Sequence, residues 1–319
     1  MEKPLVAAYN RVSREAREKL AETCEVRYFE RSETLEDPAF RETMAEAEAI
    51  IGIEYEIDEA FLKQAPHLRI AANVSVGYDN LDLEALKARG VYASNTPGVL
   101  NDTTADAIFG LLLATARRIP ETDRYVKDGR WQNTLPDDYF GVDVHHRTLG
   151  IIGMGRIGEA IAKRARFGFD MDILYYNRSQ KREAEEKYGA SRTALEPLLE
   201  RSDFVCTMTP LTKETYHLMD EAAFRRMKSS AVFINGSRGG VVDEEALIKA
   251  LQNRWIRSAG LDVFSEEPVP SDHPLLAFPH VVTLPHIGSF TEENENNMSL
   301  RAAENVLQVL NGQVPQDQL

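Results

Sequence analysis

Three segments of the chain carry side chains able to deliver a proton beside a polarised carbonyl. They are Asn235-Gly236-Ser237-Arg238-Gly239-Gly240, then Gly260-Leu261-Asp262-Val263-Phe264 running on to Glu266-Glu267-Pro268, then Pro285-His286-Ile287-Gly288-Ser289. An arginine offers a planar, two-pronged donor to a carboxylate and the carbonyl oxygen next to it. A histidine can protonate a forming alkoxide, and a neighbouring acid sets its tautomer and favours the imidazolium. Taken singly, Arg238 reads as a salt-bridge partner and Glu267 as a loop acid before proline. Their joint placement, each after a strand, suits carbonyl reduction.

A reductant needs its own cradle, and a fourth segment supplies one. Gly153, Gly155 and Gly158 form G-M-G-R-I-G directly after the strand-like run Leu149–Ile152, and a helical pattern with Ile161, Ala162 and Ala165 follows. Strand, glycine turn and helix in that order is the context in which this spacing binds a dinucleotide. The first glycine permits the tight turn, the second admits the pyrophosphate, and the third lets helix and strand approach. The helix N-terminus adds amide donors and a positive dipole. At the end of the next strand an NAD enzyme carries an acid for the ribose hydroxyl. This chain reads Tyr175-Tyr176-Asn177-Arg178-Ser179 there, with Lys181 and Arg182 beyond. A guanidinium in that place favours NADP(H) over NAD(H), with NAD(H) as the weaker alternative.

These residues need a scaffold, and the hydrophobic pattern predicts one. Strands are expected at Leu5–Tyr9, Glu25–Phe29, Ala49–Gly52 and Arg69–Val74, with helices at Arg14–Thr23, Glu36–Glu46, Asp58–Gln64 and Asn80–Arg89. Such alternation implies a parallel sheet covered by helices. Asn101 and Asp102 cap an apolar helix to Arg118, which crosses to a second βα series beginning at Arg147. Between them, Pro120 to Arg147 reads as a long, irregular connection bearing Trp131, Tyr139 and Phe140, suited to a subunit contact. A last helix from Thr291 to about Leu310 leaves the second series and is expected to return to the first block. The fold class is therefore α/β, with two doubly wound parallel-sheet domains.

Composition narrows the partners. The chain has 319 residues, a length for two domains or one large one, and its 43% hydrophobic and 28% charged residues are the balance of a folded globular protein. Its 51 acidic and 37 basic residues give a formal charge of −14, a surface that repels nucleic acid and anionic membranes. The first residues lack a signal-peptide core, and the longest apolar stretch, Ile108 to Ala116, is too short to span a membrane. Cys24 and Cys206 lack metal or disulfide spacing, so a reduced, cytoplasmic protein is expected. His145 and His146 lack a third ligand at useful spacing, and no metal is expected.

The glycine fingerprint, Arg-Gly, Glu-Pro and His-Ile-Gly in this order resemble the D-isomer-specific 2-hydroxyacid dehydrogenase family. The resemblance covers essentially the whole chain, including Ser75-Val76-Gly77-Tyr78-Asp79-Asn80, Asp143-Val144-His145-His146 and Phe167-Gly168-Phe169. It implies a Rossmann dinucleotide-binding domain at 101–287, inserted in a flavodoxin-like substrate domain of residues 1–100 and 288–319. It implies that Arg238 binds substrate and that Glu267 pairs with His286, the proton donor. The backbone of Val76 and Gly77 would hold the substrate carboxylate. Thr104, Arg156, Ile157, Asn177, Arg178, Ser179, Pro210, Gly236, Asp262, His286 and Ser289 would join the three fingerprint glycines along the cofactor. The implied activity is NADPH-dependent reduction of small 2-keto acids such as glyoxylate, hydroxypyruvate or 2-ketogluconate, in a homodimer. Gly236-Ser237, where relatives often carry Ala-Gly, and Gly240, where proline is frequent, depart from the pattern without removing a reacting side chain. A dinucleotide-sensing corepressor and a 3-phosphoglycerate dehydrogenase are the alternatives, the second disfavoured by the missing ribose acid.

Overall fold

A computed structural model describes residues 3–30 and 37–319. The chain opens with β1 (Leu5–Tyr9), α1 (Arg14–Ala21), β2 (Glu25–Phe29), α2 (Pro38–Glu46), β3 (Ala49–Gly52), α3 (Glu59–Gln64), β4 (Ile70–Asn73), α4 (Leu83–Ala88) and β5 (Tyr92–Ser94). It continues with α5 (Asn101–Arg117), α6 (Ile119–Lys127), β6 (Thr148–Ile152), α7 (Arg156–Phe169), β7 (Asp172–Tyr176), α8 (Arg182–Tyr188), β8 (Ser191–Arg192) and α9 (Leu195–Arg201). The remainder is β9 (Phe204–Thr207), α10 (Glu221–Arg226), β10 (Val232–Asn235), α11 (Glu244–Gln252), β11 (Ser258–Leu261), β12 (Val281–Thr283) and α12 (Glu292–Leu310). Residues 3–100 of the described chain and 289–319 form one compact unit, and 101–288 form another.

Local chemistry explains most of the boundaries. Ser13, Asp37, Asp58, Asp82, Asp220, Asp243 and Thr291 each cap the helix that follows, accepting from an amide of its first turn. The Asp82 cap places the start of α4 at Leu83, inside the expected span from Asn80. Glu36, expected in the second helix, lies outside the described residues. A strand that the pattern did not suggest, β5, follows the turn at Gly90.

The segment after α5 differs from the expected irregular connection. Arg118 takes a left-handed conformation with φ 55°, which ends α5, and α6 starts at once. None of the α6 residues is buried. Ile119 and Val126 share one face of α6 at seven-residue spacing, and Pro120 sits in its first turn, where proline is tolerated, so the residues are compatible with the helix that the reading as irregular connection passed over.

In the first unit the strand order is β2-β1-β3-β4-β5, all parallel, which is the flavodoxin-like order. The strands β1, β3 and β4 are buried along their whole length. Tyr9, Phe29, Phe40, Tyr55 and Phe61 pack ring to ring on one face. On the unit's other elements, α12 packs against α1, β3 and β4.

In the second unit the order is β12-β11-β10-β9-β6-β7-β8, the Rossmann arrangement with one further strand. Its register decides where the functional loops fall. Ile152 pairs with Thr207, Thr207 with Asn235, Asn235 with Leu261, and Leu261 with Thr283. The strands thus finish level, and the loops after β6, β9, β10, β11 and β12 emerge along one carboxyl edge. The order reverses between β6 and β9, where doubly wound sheets place their ligands. Among the described residues no helix is long and apolar enough to cross a membrane.

Candidate active site

The glycine turn after β6 has the backbone demanded of a dinucleotide cradle. Gly153 takes φ 103°, a region closed to most side chains, and a Cβ there would lie 2.6 Å from the carbonyl of Met208. At Gly158 a Cβ would stand 2.3 Å from the Gly153 carbonyl oxygen, so a side chain would force helix and turn apart. Gly155 is the N-cap of α7 and offers no side-chain cap. The first-turn amides of Arg156, Ile157 and Gly158 have no intrahelical acceptor and face the N-terminal end of a 14-residue helix. A pyrophosphate fits these donors and the gap that the glycines leave.

The loop after β7 is organised from beneath. Tyr175 is fully buried; its hydroxyl donates to Glu185 at 2.8 Å and accepts from the Lys181 amide at 2.8 Å, pinning the start of α8 to the sheet. Arg192 of β8 donates to the carbonyls of Asn177 and Arg178 at 3.1 and 2.8 Å. The Asn177 side chain turns back to the Ser179 carbonyl at 2.9 Å. Arg178 and Ser179 therefore ride on a clamped loop that presents no acid. Sequence reading missed Arg192, because a strand of two exposed residues has no periodic signature.

Beyond β9, the Pro210 carbonyl accepts from the Thr215 hydroxyl at 2.6 Å. After β10, the buried Asn235 organises the turn that carries Arg238. Its carbonyl oxygen Oδ1 accepts from Thr207, Ser237 N and Ser237 Oγ, and its amide donates to the Arg238 carbonyl at 3.1 Å. Arg238 is half-buried, donates to the Ser237 carbonyl at 2.9 Å and lends its charge to Glu267. Gly236 lies against Ile108 of α5.

The proton-transfer pair forms at the neighbouring strand ends. His286 Nδ1 stands 2.7 Å from Glu267 Oε2, and Glu267 Oε1 accepts from the Phe264 amide at 2.9 Å. Burial pushes the Glu267 carboxyl up. The hydrogen bonds from His286 and Phe264, with the charges of His286 and Arg238, outweigh it and hold the group below the usual carboxylate range. An ionised Glu267 makes Nδ1 the donor, which leaves Nε2 of His286 for chemistry.

His286 owes its place to Asp262. This side chain is buried, and its two oxygens accept from the amides of Ile287 and Gly288 at 2.8 and 3.0 Å. The Asp262 carbonyl accepts from the His286 amide at 2.8 Å. Burial raises the Asp262 carboxyl above its usual range, although the two amides and the His286 charge pull the other way. Thr104 of α5 lies beside Gly288 as well. His286 itself has φ 54°, a left-handed conformation that the clamp maintains.

The remaining expected residues lie in the other unit. Ser289 accepts there from the Asn294 side chain at 2.8 Å, and Val76 and Gly77 belong to the loop after β4. His145 and His146 turn their Nδ1 atoms to each other at 2.8 Å, and among the described residues no group of three or more ligating side chains could hold a metal.

Residues 109–288 match the model of the D-isomer specific 2-hydroxyacid dehydrogenase NAD binding domain. Over 314 residues the chain is 50% identical to glyoxylate/hydroxypyruvate reductase B of Klebsiella pneumoniae, covering 98% of this chain and 97% of that one. The enzyme of the same name from Yersinia enterocolitica is 46% identical over 315 residues, with 99% and 97% covered. Among solved structures, a protein of Thermus thermophilus superposes with a TM-score of 0.91 at 38% identity, covering 99% of both chains. The NADPH-dependent glyoxylate/hydroxypyruvate reductase of Sinorhizobium meliloti, solved with NADP and malonate, gives 0.87 at 32% identity, covering 100% of this chain and 97% of that one.

Proposed function

The chain belongs to the D-isomer-specific 2-hydroxyacid dehydrogenase family, and from that premise we propose that it reduces small 2-keto acids, glyoxylate and hydroxypyruvate foremost, with NADPH. The family membership makes it an oxidoreductase with a nicotinamide dinucleotide-binding unit. 2-Ketogluconate is the largest substrate in this reading. The names of the Klebsiella and Yersinia relatives support glyoxylate and hydroxypyruvate, and the NADPH dependence of the Sinorhizobium reductase supports the cofactor. The observation that carries it is the 2.7 Å contact between His286 and an ionised Glu267 at the carboxyl edge of the sheet.

When bound, the nicotinamide supplies a hydride to the keto carbon. His286 gives the proton on Nε2 to the carbonyl oxygen, so the keto acid gains one hydride and one proton and leaves as the 2-hydroxy acid. Glu267 stabilises the imidazolium before transfer and keeps the ring oriented afterwards. Arg238 pairs its fork with the carboxylate and the carbonyl oxygen, drawing charge toward that oxygen as it develops. The amides of Val76 and Gly77 receive the carboxylate.

Cofactor choice follows from the loop after β7. Asn177 and Arg178 occupy the place of a ribose-binding acid, so the loop itself sets no carboxylate against a 2′-phosphate, although Glu214 of the loop after β9 lies within reach of the Arg178 charge. Arg178 and Ser179 supply donors, and Arg192 keeps the loop in shape by holding its carbonyls. Assembly is part of the same reading. On the second unit Ile119, Val126, Trp131 and Phe140 are all more than half exposed, on and after a helix that buries nothing. A second copy of the chain is the occupant that the family resemblance implies.

Replacing His286 by alanine should leave NADPH binding nearly unchanged and cut turnover by roughly two to four orders of magnitude, the range for a lost general acid. Near-normal turnover in steady-state assays would remove His286 from the mechanism. Wild type should favour NADPH over NADH by about ten- to a hundredfold, the value of a charge-assisted contact. Arg178→Ala should abolish most of that preference while sparing NADH kinetics; equal efficiency of wild type with both cofactors contradicts the assignment. Light scattering at micromolar concentration should return the mass of a dimer, and a monomeric mass rejects the assembly.

A further inference from the structure

We propose that Asn95 is a positioning residue for substrate binding: it turns the amides of Val76 and Gly77 outward, and the segment after α12 holds Asn95 in place through Asp317 and Asn305. The inference rests on the reading that these amides take the keto acid's carboxylate. It adds how they are made available.

Three successive carbonyls of the loop after β4 are engaged from one side or from below. The Ser75 carbonyl accepts from the Thr96 amide at 2.9 Å, the Val76 carbonyl from Asn95 Nδ2 at 2.8 Å, and the Gly77 carbonyl from Asn73 Nδ2 at 2.7 Å. Neither the Ser75–Val76 nor the Val76–Gly77 peptide is cis. A trans peptide points its N–H opposite to its C=O. Carbonyls 75 and 76 both turn toward residues 95 and 96, so the N–H groups of Val76 and Gly77 both turn away from them. Among the described residues neither N–H has an acceptor. Adjacent amides left in this way form an anion-binding concavity that suits the two oxygens of a carboxylate.

Asn95 is only 7% exposed, and its side-chain amide is committed to the Val76 carbonyl. Its backbone is held by residues far along the chain. The Asn95 amide donates to the Asp317 carbonyl at 3.4 Å, and the Asn95 carbonyl accepts from Asn305 Nδ2 at 3.5 Å. Those two contacts are long, but their partners are firmly placed. Asn305 is fully buried, donates to the Asp317 carboxylate at 3.0 Å and accepts from the Asp317 amide at 3.2 Å. Arg301 grips that carboxylate with two prongs at 2.6 and 2.9 Å. Immediately before Asn95 the same segment pairs with β5, through a Ser94–Gln318 bridge and a Leu319 amide bond to the Ala93 carbonyl at 2.9 Å. Asn95 is thus the link between a half-buried ionic lock and the loop that offers the amides.

The test uses the full chain, with NADPH oxidation as the assay and oxalate as a carboxylate inhibitor. Asn95→Ala should raise the KM for glyoxylate and the inhibition constant for oxalate by about tenfold, the value of one well-made hydrogen bond to an anion, with kcat and the KM for NADPH within about threefold. Asn95→Asp, of the same size, replaces the donor by an acceptor and should do the same; it decides the matter if the alanine variant does not fold. Asp317→Ala should shift both constants in the same direction by less. Unchanged constants for glyoxylate and oxalate in the Asn95 variants overturn the proposal, as does a loss shared equally by kcat and the NADPH KM, which marks general loosening. Should wild type reduce neither glyoxylate nor hydroxypyruvate, the proposed function falls instead. Calorimetric oxalate binding to the NADPH-loaded chain then decides the loop's role: a tenfold weaker Asn95→Asp supports it, and equal affinity overturns it.

Discussion

A single buried carboxylate sets the geometry of the second unit's chemistry. Asp262 leaves the end of β11 and spends both oxygens on the amides of Ile287 and Gly288, while its carbonyl takes the His286 amide. Burying a carboxylate is costly, and burial does raise this group above its usual range. The backbone bonds offset part of that cost, and what they yield is a segment locked at the position where His286 must stand. Without the clamp, nothing local favours the left-handed backbone of His286, which has no glycine's freedom. Glu267 then needs only a short reach from the same strand end to meet the ring.

Loops in both units share one device. In each, a side chain or backbone amide from outside the turn or at its start fastens one or more of its carbonyls. Arg192 takes the carbonyls of Asn177 and Arg178, Asn235 takes the carbonyl of Arg238, and Thr96, Asn95 and Asn73 take those of Ser75, Val76 and Gly77. A loop secured in this way loses little further entropy when a ligand binds, so more of the interaction appears as affinity. The glycine turn reaches the same end by backbone shape. Gly153 and Gly158 let α7 start close to the sheet, and its first amides remain unpaired as a consequence.

How much of this could be read from the residues depends on how local each cause is. The fingerprint was legible because its spacing within one strand–turn–helix is local: Gly158 approaches the Gly153 carbonyl five positions back, whereas the Gly153 contact with Met208 comes only with the fold. Alternating apolar runs made both parallel sheets legible, since β1, β3 and β10 are buried end to end and read as continuous hydrophobic stretches. Arg238, Glu267 and His286 stood out through their order after successive strands. By contrast α6 was read as irregular connection: it is short, opens on Pro120, and leaves its apolar residues Ile119 and Val126 exposed instead of packing them on a core. Arg192 and Asn95 left no trace, since each acquires its role from carbonyls that only the fold brings near. For Asn95 the nearest of these is Val76, 19 positions away, and the lock at Asp317 is farther still.

The position of His286 depends on the Asp262 clamp, and one substitution isolates it. Asp262→Asn keeps the volume but turns an amide donor toward a backbone N–H, so one of the two bonds must break. Turnover measured at saturating glyoxylate and NADPH excludes effects on affinity. The expected fall is about ten- to a hundredfold, the cost of one misplaced buried bond expressed in the barrier. Turnover within about twofold of wild type would show that His286 finds its place without the clamp, and would contradict the role given to Asp262.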